Sequence, residues 1–331
     1  MTKLERIQAA IARQPLDRVP YAVWCHFPEV DRSTAGLAQA TLRFHQRYDS
    51  DFLKVTPNGG YAVEDWGCVE SDKVMPDGHR PCAGHAVNAA SDWKKITPLD
   101  ITASAYGRHL EAMVRVVVDK RADAPVLPTV FSPLSLARKL SGDRLNQDLR
   151  ERPDAVVEAL EAITETLIRF VTLCLDEEAG GIFYAIHAAS YRFHTEEEYA
   201  RFGEPYDRRL LETAMARAHL VIVHAHGDDL MFERLARLPG HAWNWDDRVA
   251  GPSLRDGKAK VNGAVIGGVN QWATIRDGTP DDVRMEARAA VDQTEGIGVI
   301  VGPGCVIPPG APDQNVAALV KALGGRVGLV L

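Results

Sequence analysis

Two histidines and one cysteine are the residues whose types and spacing most directly suggest chemistry. His224 and His226 end an apolar run that reads LVIVHAH. Because side chains alternate along a strand, both imidazoles point to the same face. Cys305 follows the segment GVIVGPG, in which a Gly-Pro-Gly turn brings the backbone close to the same region. Together the three side chains would form a zinc site with an open fourth position, the arrangement of catalytic zinc.

Each of these residues also has an ordinary structural interpretation. Two histidines at a strand end can simply hydrogen bond to backbone groups or solvent. A lone cysteine is often a small buried apolar side chain. The metal site therefore depends on all three side chains meeting in the fold.

Further candidates lie at the ends of other apolar runs. His26 and His187 could act as general acids or bases, since histidine titrates near neutral pH. Asp246, with the adjacent Asp247, could accept a hydrogen bond from a metal-bound histidine or cap a helix. The candidate substrate-binding residues include Trp24, because tryptophans recur at these strand ends, and Tyr191, which follows the sequence HAAS.

The elements that must position these side chains are short β-branched runs alternating with amphipathic helical stretches. This alternation indicates parallel strands joined by helices. The predicted strands are Val19–Trp24, Phe52–Thr56, Val126–Phe131, Ile182–His187, Leu220–His226, His241–Trp245, Ala264–Val269 and Gly298–Val301. Eight such strands predict an α/β fold of the (β/α)₈ TIM-barrel type, in which functional residues lie at the carboxyl ends of the strands.

The predicted helices fall between these strands. They are Ala35–Tyr48, Ala105–Lys120, Pro153–Glu177, Glu196–Ala218, Leu230–Leu238, Pro280–Gln293 and Gln314–Leu323. We expect one barrel domain over residues 1–331. An excursion at about 59–97, rich in Gly, Asp, His and Pro, separates the second strand from its helix and is expected to form a small hairpin.

Composition excludes several classes of protein. The chain has 331 residues, 46% of them hydrophobic and 25% charged, with a net charge of −7. No apolar run approaches the roughly 18–20 residues of a membrane span, and the start MTKLERIQAAIARQ lacks the apolar core of a signal peptide. We therefore expect a cytoplasmic protein. Five widely spaced cysteines argue against a disulfide framework. The acidic balance argues against nucleic acid as a partner.

Four segments carry a resemblance to a known family. In chain order they are RIQAAIARQPLDRVPYAVW, FSPLSLARKLSGDRLNQDLRERPDAV, AGGIFYAIHAAS and GPGCVIPPGAPDQNVAALVKAL. Their order and spacing resemble the uroporphyrinogen decarboxylase superfamily over roughly residues 3–325. This superfamily has the (β/α)₈ barrel fold and includes zinc- and cobalamin-linked methyltransferases.

The residues depart from the pattern of the decarboxylases themselves. Those enzymes carry Arg-Gln-Ala-Gly-Arg-Tyr after the first strand, where this chain reads WCHFPEVDR. They also carry an Asp at the end of the second strand, where this chain reads KVTP from Lys54. Lys139 stands where they have a Tyr, and Cys305 where they have a His. These departures make haem synthesis an improbable function.

The methyltransferase branch is the better match. It carries a His-x-Cys pair after the fifth strand and a second Cys about 75–80 residues later, which bind zinc. His224 matches the His and Cys305 the second Cys, whereas His226 replaces the first Cys. One thiolate instead of two leaves the zinc more electron-poor, which changes how it would activate a thiol. The resemblance also suggests that Asn270 and Gln271 contact the substrate.

The function implied by the resemblance is zinc-dependent methyl transfer. A thiol or other acceptor would be activated for methyl transfer with a corrinoid carried by a partner protein, or with a methylated small molecule. A homodimer is compatible with the composition. Two alternatives remain open. One is a decarboxylase or lyase of a small carboxylic acid, aromatic or not, that uses His26, His187 or Lys54. The other is a non-catalytic subunit that binds a ligand or a corrinoid protein.

Overall fold

A parallel sheet is the centre of the computed structural model, which describes residues 1–329. Its seven strands are β1 (Leu53–Val55), β4 (Val126–Phe131), β5 (Gly181–Ile186), β6 (Leu220–Ala225), β7 (Ala242–Asn244), β8 (Ala264–Val269) and β9 (Val299–Pro303). Neighbours in this order are hydrogen bonded to each other in parallel. Each of these strands was predicted, with bounds that differ by at most a few residues.

The eighth strand position of the barrel is filled by the segment Val19–Trp24, which was predicted to be a strand. Tyr21 pairs with Val301 and Cys25 with Ile307 through isolated parallel bridges. On the other side, the Asp51 amide donates to the Tyr21 carbonyl at 2.9 Å. The segment is not a continuous strand. Pro20 has no N–H to donate, so the ladder does not extend before Tyr21. Between the two bridges the register places Pro303 of β9, which also lacks an N–H, opposite Val23, while the barrel still closes. The predicted α/β barrel is confirmed.

Helices surround the sheet. They are α1 (Lys3–Ile11), α2 (Thr34–Tyr48), α3 (Tyr61–Glu64), α4 (Ser104–Val117), α5 (Pro133–Ser141), α6 (Arg144–Glu151), α7 (Pro153–Asp176), α8 (Glu196–Phe202), α9 (Glu204–Met215), α10 (Phe232–Leu235), α11 (Leu254–Lys260), α12 (Pro280–Thr294) and α13 (Asp313–Ala322). A 3₁₀ segment spans Ala90–Lys95 and a π-helical turn spans Gln271–Arg276. Within residues 1–329, no helix combines the length and apolarity needed to cross a bilayer.

The predicted helix Glu196–Ala218 is in fact two helices. The chain breaks at Gly203, between α8 and α9, and Pro205 follows in the first turn of α9. Pro205 cannot donate a backbone hydrogen bond to the preceding turn, so one continuous helix is disfavoured. A Cβ at Gly203 would also lie 2.3 Å from the Tyr199 ring.

The barrel interior is apolar below the strand ends. One buried cluster collects inward-facing side chains, including Trp24, Phe183, Ile222 and Ile300, and α1 contributes Ile7 to it. The interior is therefore a packed core up to the level of the site, as barrels of this kind require. Above it, β2 (Val69–Glu70) and β3 (Cys82–Gly84) form a short antiparallel hairpin within the 59–97 segment.

Candidate metal centre

The three sequence-predicted ligands lie together at the carboxyl ends of β6 and β9. His224 is the penultimate residue of β6 and is only 4% exposed, whereas His226, just beyond the strand, lines the cavity above it. Cys305 lies two residues beyond β9. Its Sγ is 3.7 Å from His224 Nε2 and 3.4 Å from His226 Nδ1. One ligand atom from each residue lies within 4.8 Å of the other two.

These separations suit a single zinc ion. With Zn–S of about 2.3 Å and Zn–N of about 2.05 Å, two donors on one tetrahedral zinc lie about 3.6 Å apart. The two sulfur–nitrogen distances, 3.7 Å and 3.4 Å, lie on either side of that value. Imidazole and thiolate are also donors that zinc prefers. The donor set therefore fits zinc in both chemistry and spacing.

A buried asparagine fixes the orientation of His224. The Asn244 Nδ2 group donates to the carbonyls of Ile266, at 3.0 Å, and Pro303, at 3.1 Å. Its Oδ1 must then be the acceptor for His224 Nδ1–H, at 2.6 Å. This leaves Nε2 of His224 without a proton and facing Cys305, as a metal ligand requires.

Sequence reasoning missed Asn244. The acceptors predicted for a metal-bound histidine were Asp246 and Asp247, two and three residues later. Asn244 ends β7 and pairs in register with His224 of β6, so the two side chains lie side by side, and only this register identifies it.

Asp246 and Asp247 instead connect β7 to β8. Asp246 Oδ2 accepts from Gln271 Nε2 at 2.7 Å, and Asp247 Oδ1 accepts from the Gly268 amide at 2.8 Å. Burial raises the pKa of Asp247 to about 6. Asn270 caps the following turn, its Oδ1 accepting from the amides of Trp272 and Ala273. The structure therefore places Asp246, Asn270 and Gln271 in the framework beside the Cys305 loop.

A cavity of about 660 Å³ opens above the three ligands. Its wall includes His26 and His187, two of the predicted catalytic residues. Side chains of the hairpin form the opposite wall, among them Asp77, His79 and Cys82. The cavity is thus bounded by the barrel mouth below and by the 59–97 segment above.

The remaining predicted residues lie outside the cavity wall formed by residues 1–329. Asp246, Asn270 and Gln271 occupy the framework positions given above. Trp24 is 2% exposed and packs in the barrel floor, with its ring 5.4 Å from Phe183. Tyr191 is 56% exposed and its hydroxyl bonds to Glu196 at 3.3 Å.

His26 and His187, the two predicted catalytic histidines, are neutral near pH 7. Burial lowers the pKa of His26 to about 3. The ring of His187 stacks on that of His226, with centroids 4.3 Å apart, and packs edge-on against Phe131. Burial, and then the neighbouring His226, lower the pKa of His187 well below its ordinary value. Each ring can donate or accept a hydrogen bond. Neither ring carries the second proton that it would need to act as a strong general acid.

Cys305 is prepared to act as a thiolate. Burial alone would raise the pKa of its thiol. When a proton takes the place of a metal on His224 Nε2, the hydrogen bond and charge of that ring, and then the Lys54 ammonium, outweigh burial and bring the pKa of the thiol below its ordinary value. A thiolate is the form of cysteine that binds metals.

A second group of potential ligands, His45, Asp49 and Asp123, is already occupied by a side chain. The Lys3 ammonium lies 2.5 Å from each of the two carboxylates and 3.3 Å from His45 Nε2. The ammonium supplies the positive charge that a metal ion would bring. This group therefore anchors α1 to the barrel.

A closed parallel barrel with nucleophilic and basic side chains at the carboxyl ends of its strands defines a barrel enzyme. The chain belongs to the uroporphyrinogen decarboxylase (URO-D) family, whose model matches residues 2–325. The predicted family is confirmed.

The relatives favour one branch of that family. Methylcobamide:CoM methyltransferase MtbA from Methanosarcina mazei is 23% identical, and the match covers 97% of each chain. MtbA from Methanosarcina acetivorans is 22% identical with the same coverage. The resemblance to the methyltransferase branch is thereby confirmed, and the chain is an enzyme, a methyltransferase.

Solved structures agree on the fold. A methyltransferase from Methanosarcina mazei superposes with a TM-score of 0.82 at 20% identity, covering 98% of both chains. A B12-independent methionine synthase from Shewanella sp. W3-18-1 gives a TM-score of 0.64 at 12% identity, covering 92% of this chain and 97% of the other.

Proposed function

We propose that the chain is a zinc-dependent methyltransferase. His224 Nε2, His226 Nδ1 and Cys305 Sγ would hold the zinc, and a thiol or other acceptor would receive the methyl group beside it. The observation that carries the proposal is the spacing of these three donors, 3.7 Å and 3.4 Å from sulfur to each nitrogen. The two relatives named methylcobamide:CoM methyltransferase support the same reaction class.

Each part of the chain has a defined role in this proposal. When bound, zinc lowers the pKa of a coordinated thiol or water so that it loses its proton near neutral pH. Asn244 keeps the free nitrogen of His224 directed at the site. The apolar floor around Phe183 limits access of water from below. His187, stacked on His226, can accept or donate a hydrogen bond to the acceptor molecule in its neutral form.

The methyl donor would reach the site through the open face of the cavity. The relatives' names specify a methylcobamide, so a corrinoid, free or carried by a partner protein, is the proposed donor. The cavity of about 660 Å³ leaves room for a small-molecule acceptor beside the ligands.

The test combines metal analysis with an activity assay. Protein purified without chelators or a polyhistidine tag should contain about one zinc per chain. It should transfer a methyl group from methylcobalamin to a thiol when a series of thiols is supplied. His224→Ala and Cys305→Ser should lose both zinc and transfer. His219→Ala, which changes an exposed histidine just before β6, should keep both. Transfer that survives in a zinc-free His224→Ala protein would overturn the proposal.

A further inference from the structure

Five cationic side chains line the cavity, and two of them have no acidic partner within residues 1–329. The three arginines form ion pairs: Arg32 with Glu70 at 3.3 Å, Arg80 with Asp31 at 3.0 Å and Arg108 with Glu64 at 2.8 Å. Lys54 and Lys139 form no such pair. Asp77, the third acid of the cavity wall, is paired with His79 at 2.5 Å.

Lys54 extends into the barrel from the middle of β1. Its neighbours Leu53 and Val55 are buried and, because strand side chains alternate, face the opposite way. The ammonium lies 4.2 Å from the centroid of the Phe183 ring. The negative group that acts on it near pH 7 is the Cys305 thiolate, because burial raises the pKa of the Cys25 thiol to about 12; no carboxylate acts on it.

Lys139 enters the same cavity from α5. Its Nζ donates to the carbonyl of Gly59 at 2.7 Å and lies 4.1 Å from the centroid of the Phe131 ring. An ammonium has three protons, so this geometry leaves donors free for a ligand. Both lysines act electrostatically on His187 and His226, so both lie near the candidate metal centre.

This positive cavity belongs to an acidic protein. The whole chain carries a net charge of −7, whereas the cavity wall has two more Lys and Arg residues than Asp and Glu residues. The Cys305 sulfur acts on Lys54 and the Glu70 carboxylate on Lys139, but neither forms an ion pair with the lysine. Enclosed cations that lack an ion pair cost free energy, which a bound anion would offset. Each lysine also stands over an aromatic ring, so an anion bound there would have an apolar surface beside it.

We propose that the cavity binds an organic anion with an apolar body. Lys54 and Lys139 hold its oxyanion group, and the rings of Phe131 and Phe183 contact the apolar part. The oxyanion is a carboxylate, a sulfonate or a phosphate, which share this recognition chemistry. The inference rests on the proposed function in one respect only: the bound anion would be the substrate that lies beside the metal.

Wild-type protein provides the first test, with benzoate as the probe and benzamide as its neutral counterpart. Isothermal titration calorimetry on the protein as purified should show that benzoate binds at least tenfold more tightly. Benzenesulfonate and phenyl phosphate in the same assay identify the preferred oxyanion. Equal affinities for benzoate and benzamide, or no benzoate binding, would overturn the proposal.

Variants assign the site. Lys54→Met and Lys139→Met keep the length of the side chain but remove the charge. Each should weaken benzoate binding about tenfold and leave benzamide unaffected. Lys54→Arg and Lys139→Arg should retain most of the affinity. Lys258→Met is the matched control, because Lys258 also donates to a backbone carbonyl, that of Thr294 at 2.7 Å, but lies outside the cavity.

The outcomes separate this inference from the proposed function. If benzoate affinity is unchanged in both methionine variants but lost in zinc-free His224→Ala, the metal is the anion site and the inference is wrong. If the protein lacks zinc and methyl transfer yet shows the lysine-dependent preference for benzoate, the anion site stands and the proposed function fails.

Discussion

The amide of Asn244 determines which nitrogen of His224 can bind a metal. Its two donor hydrogens are directed at backbone carbonyls of β8 and β9, so only its oxygen can face His224. A carboxylate at this position could not make those two donations. The side chain of Asn244, on β7, is thus hydrogen bonded to β6, β8 and β9. The same hydrogen bonds select the tautomer of His224.

Asn244→Ala should weaken zinc binding by about 10–100-fold, because the second layer around a metal ligand typically contributes that much. Competition with a chelator of known affinity measures the change. Asn315→Ala is the matched control: Asn315 is equally buried and its Nδ2 also donates to two carbonyls, those of Ile275 and Gly278. Both variants should lose stability. If zinc affinity falls equally in both, Asn244 has no specific role at the metal.

The loop after β9 depends on a glycine at position 304. A Cβ there would lie 2.5 Å from the Cα of Asp246, a backbone atom that cannot move cheaply. Gly304→Ala should therefore displace Cys305, with a stability loss of about 1–3 kcal/mol and weaker zinc binding. Gly84→Ala is the control, since its nearest neighbour, Val69 Cβ, is 3.5 Å away. Chemical denaturation and metal analysis of both variants measure the effect. Full zinc content in Gly304→Ala would contradict this account of the loop.

A buried carboxyl joins β5, α8 and α9. Asp207 accepts hydrogen bonds from the hydroxyls of Tyr184, at 2.6 Å, and Tyr199, at 2.7 Å. Burial raises the pKa of Asp207 to about 7 from an ordinary value of 3.8. Between these values the folded state holds a proton that the unfolded state has lost. The free energy of unfolding contributed by this group therefore falls as pH rises from about 4 to 7, and is level above that range.

Comparison with Asp207→Asn isolates the contribution, because all other titrating groups cancel in the difference. Urea unfolding of both proteins at pH 4.5 and 7.5 measures it. The stability advantage of the wild type should shrink as pH rises. An advantage that grows with pH would show that the two tyrosines hold the carboxylate ionised despite its burial.

Alternation of apolar runs and helical stretches was sufficient to predict the sheet. Val126–Phe131 and Ala264–Val269 have the predicted bounds because each segment is rich in β-branched and other apolar residues and is flanked by turn residues. The pattern failed where one residue overrides the local preference. Pro20 limits the pairing of the segment before β1, and Gly203 with Pro205 divides a helix. Periodicity alone does not show either effect.

The metal ligands could be predicted because barrel topology brings strand ends together wherever they lie in the sequence. Asn244 could not be singled out without the register of β7 on β6. The residues of the cavity wall could not be predicted from the sequence for a different reason. Part of it comes from the hairpin, whose position over the mouth is set by tertiary contacts and not by a local pattern.

The molecule as a whole is acidic, yet it encloses a positive cavity, which makes ligand binding sensitive to pH. Burial lowers the pKa of Lys139 to about 8. Its ammonium is therefore lost as pH rises through that value. Burial lowers the pKa of Lys54 to about 8 as well, so benzoate affinity should fall more than tenfold between pH 7 and 9. In Lys139→Arg the fall should be smaller, because a guanidinium keeps its charge. A benzoate affinity that is constant over this range would show that the charge of Lys139 does not contribute.

X-ray absorption spectroscopy at the zinc edge of the purified wild-type protein tests the central claim most directly. We expect one sulfur ligand at about 2.3 Å and at least two nitrogen ligands at about 2.0–2.1 Å, with the sulfur contribution absent in Cys305→Ser. A protein without zinc, or a zinc spectrum with only nitrogen and oxygen ligands in the wild type, would contradict the account.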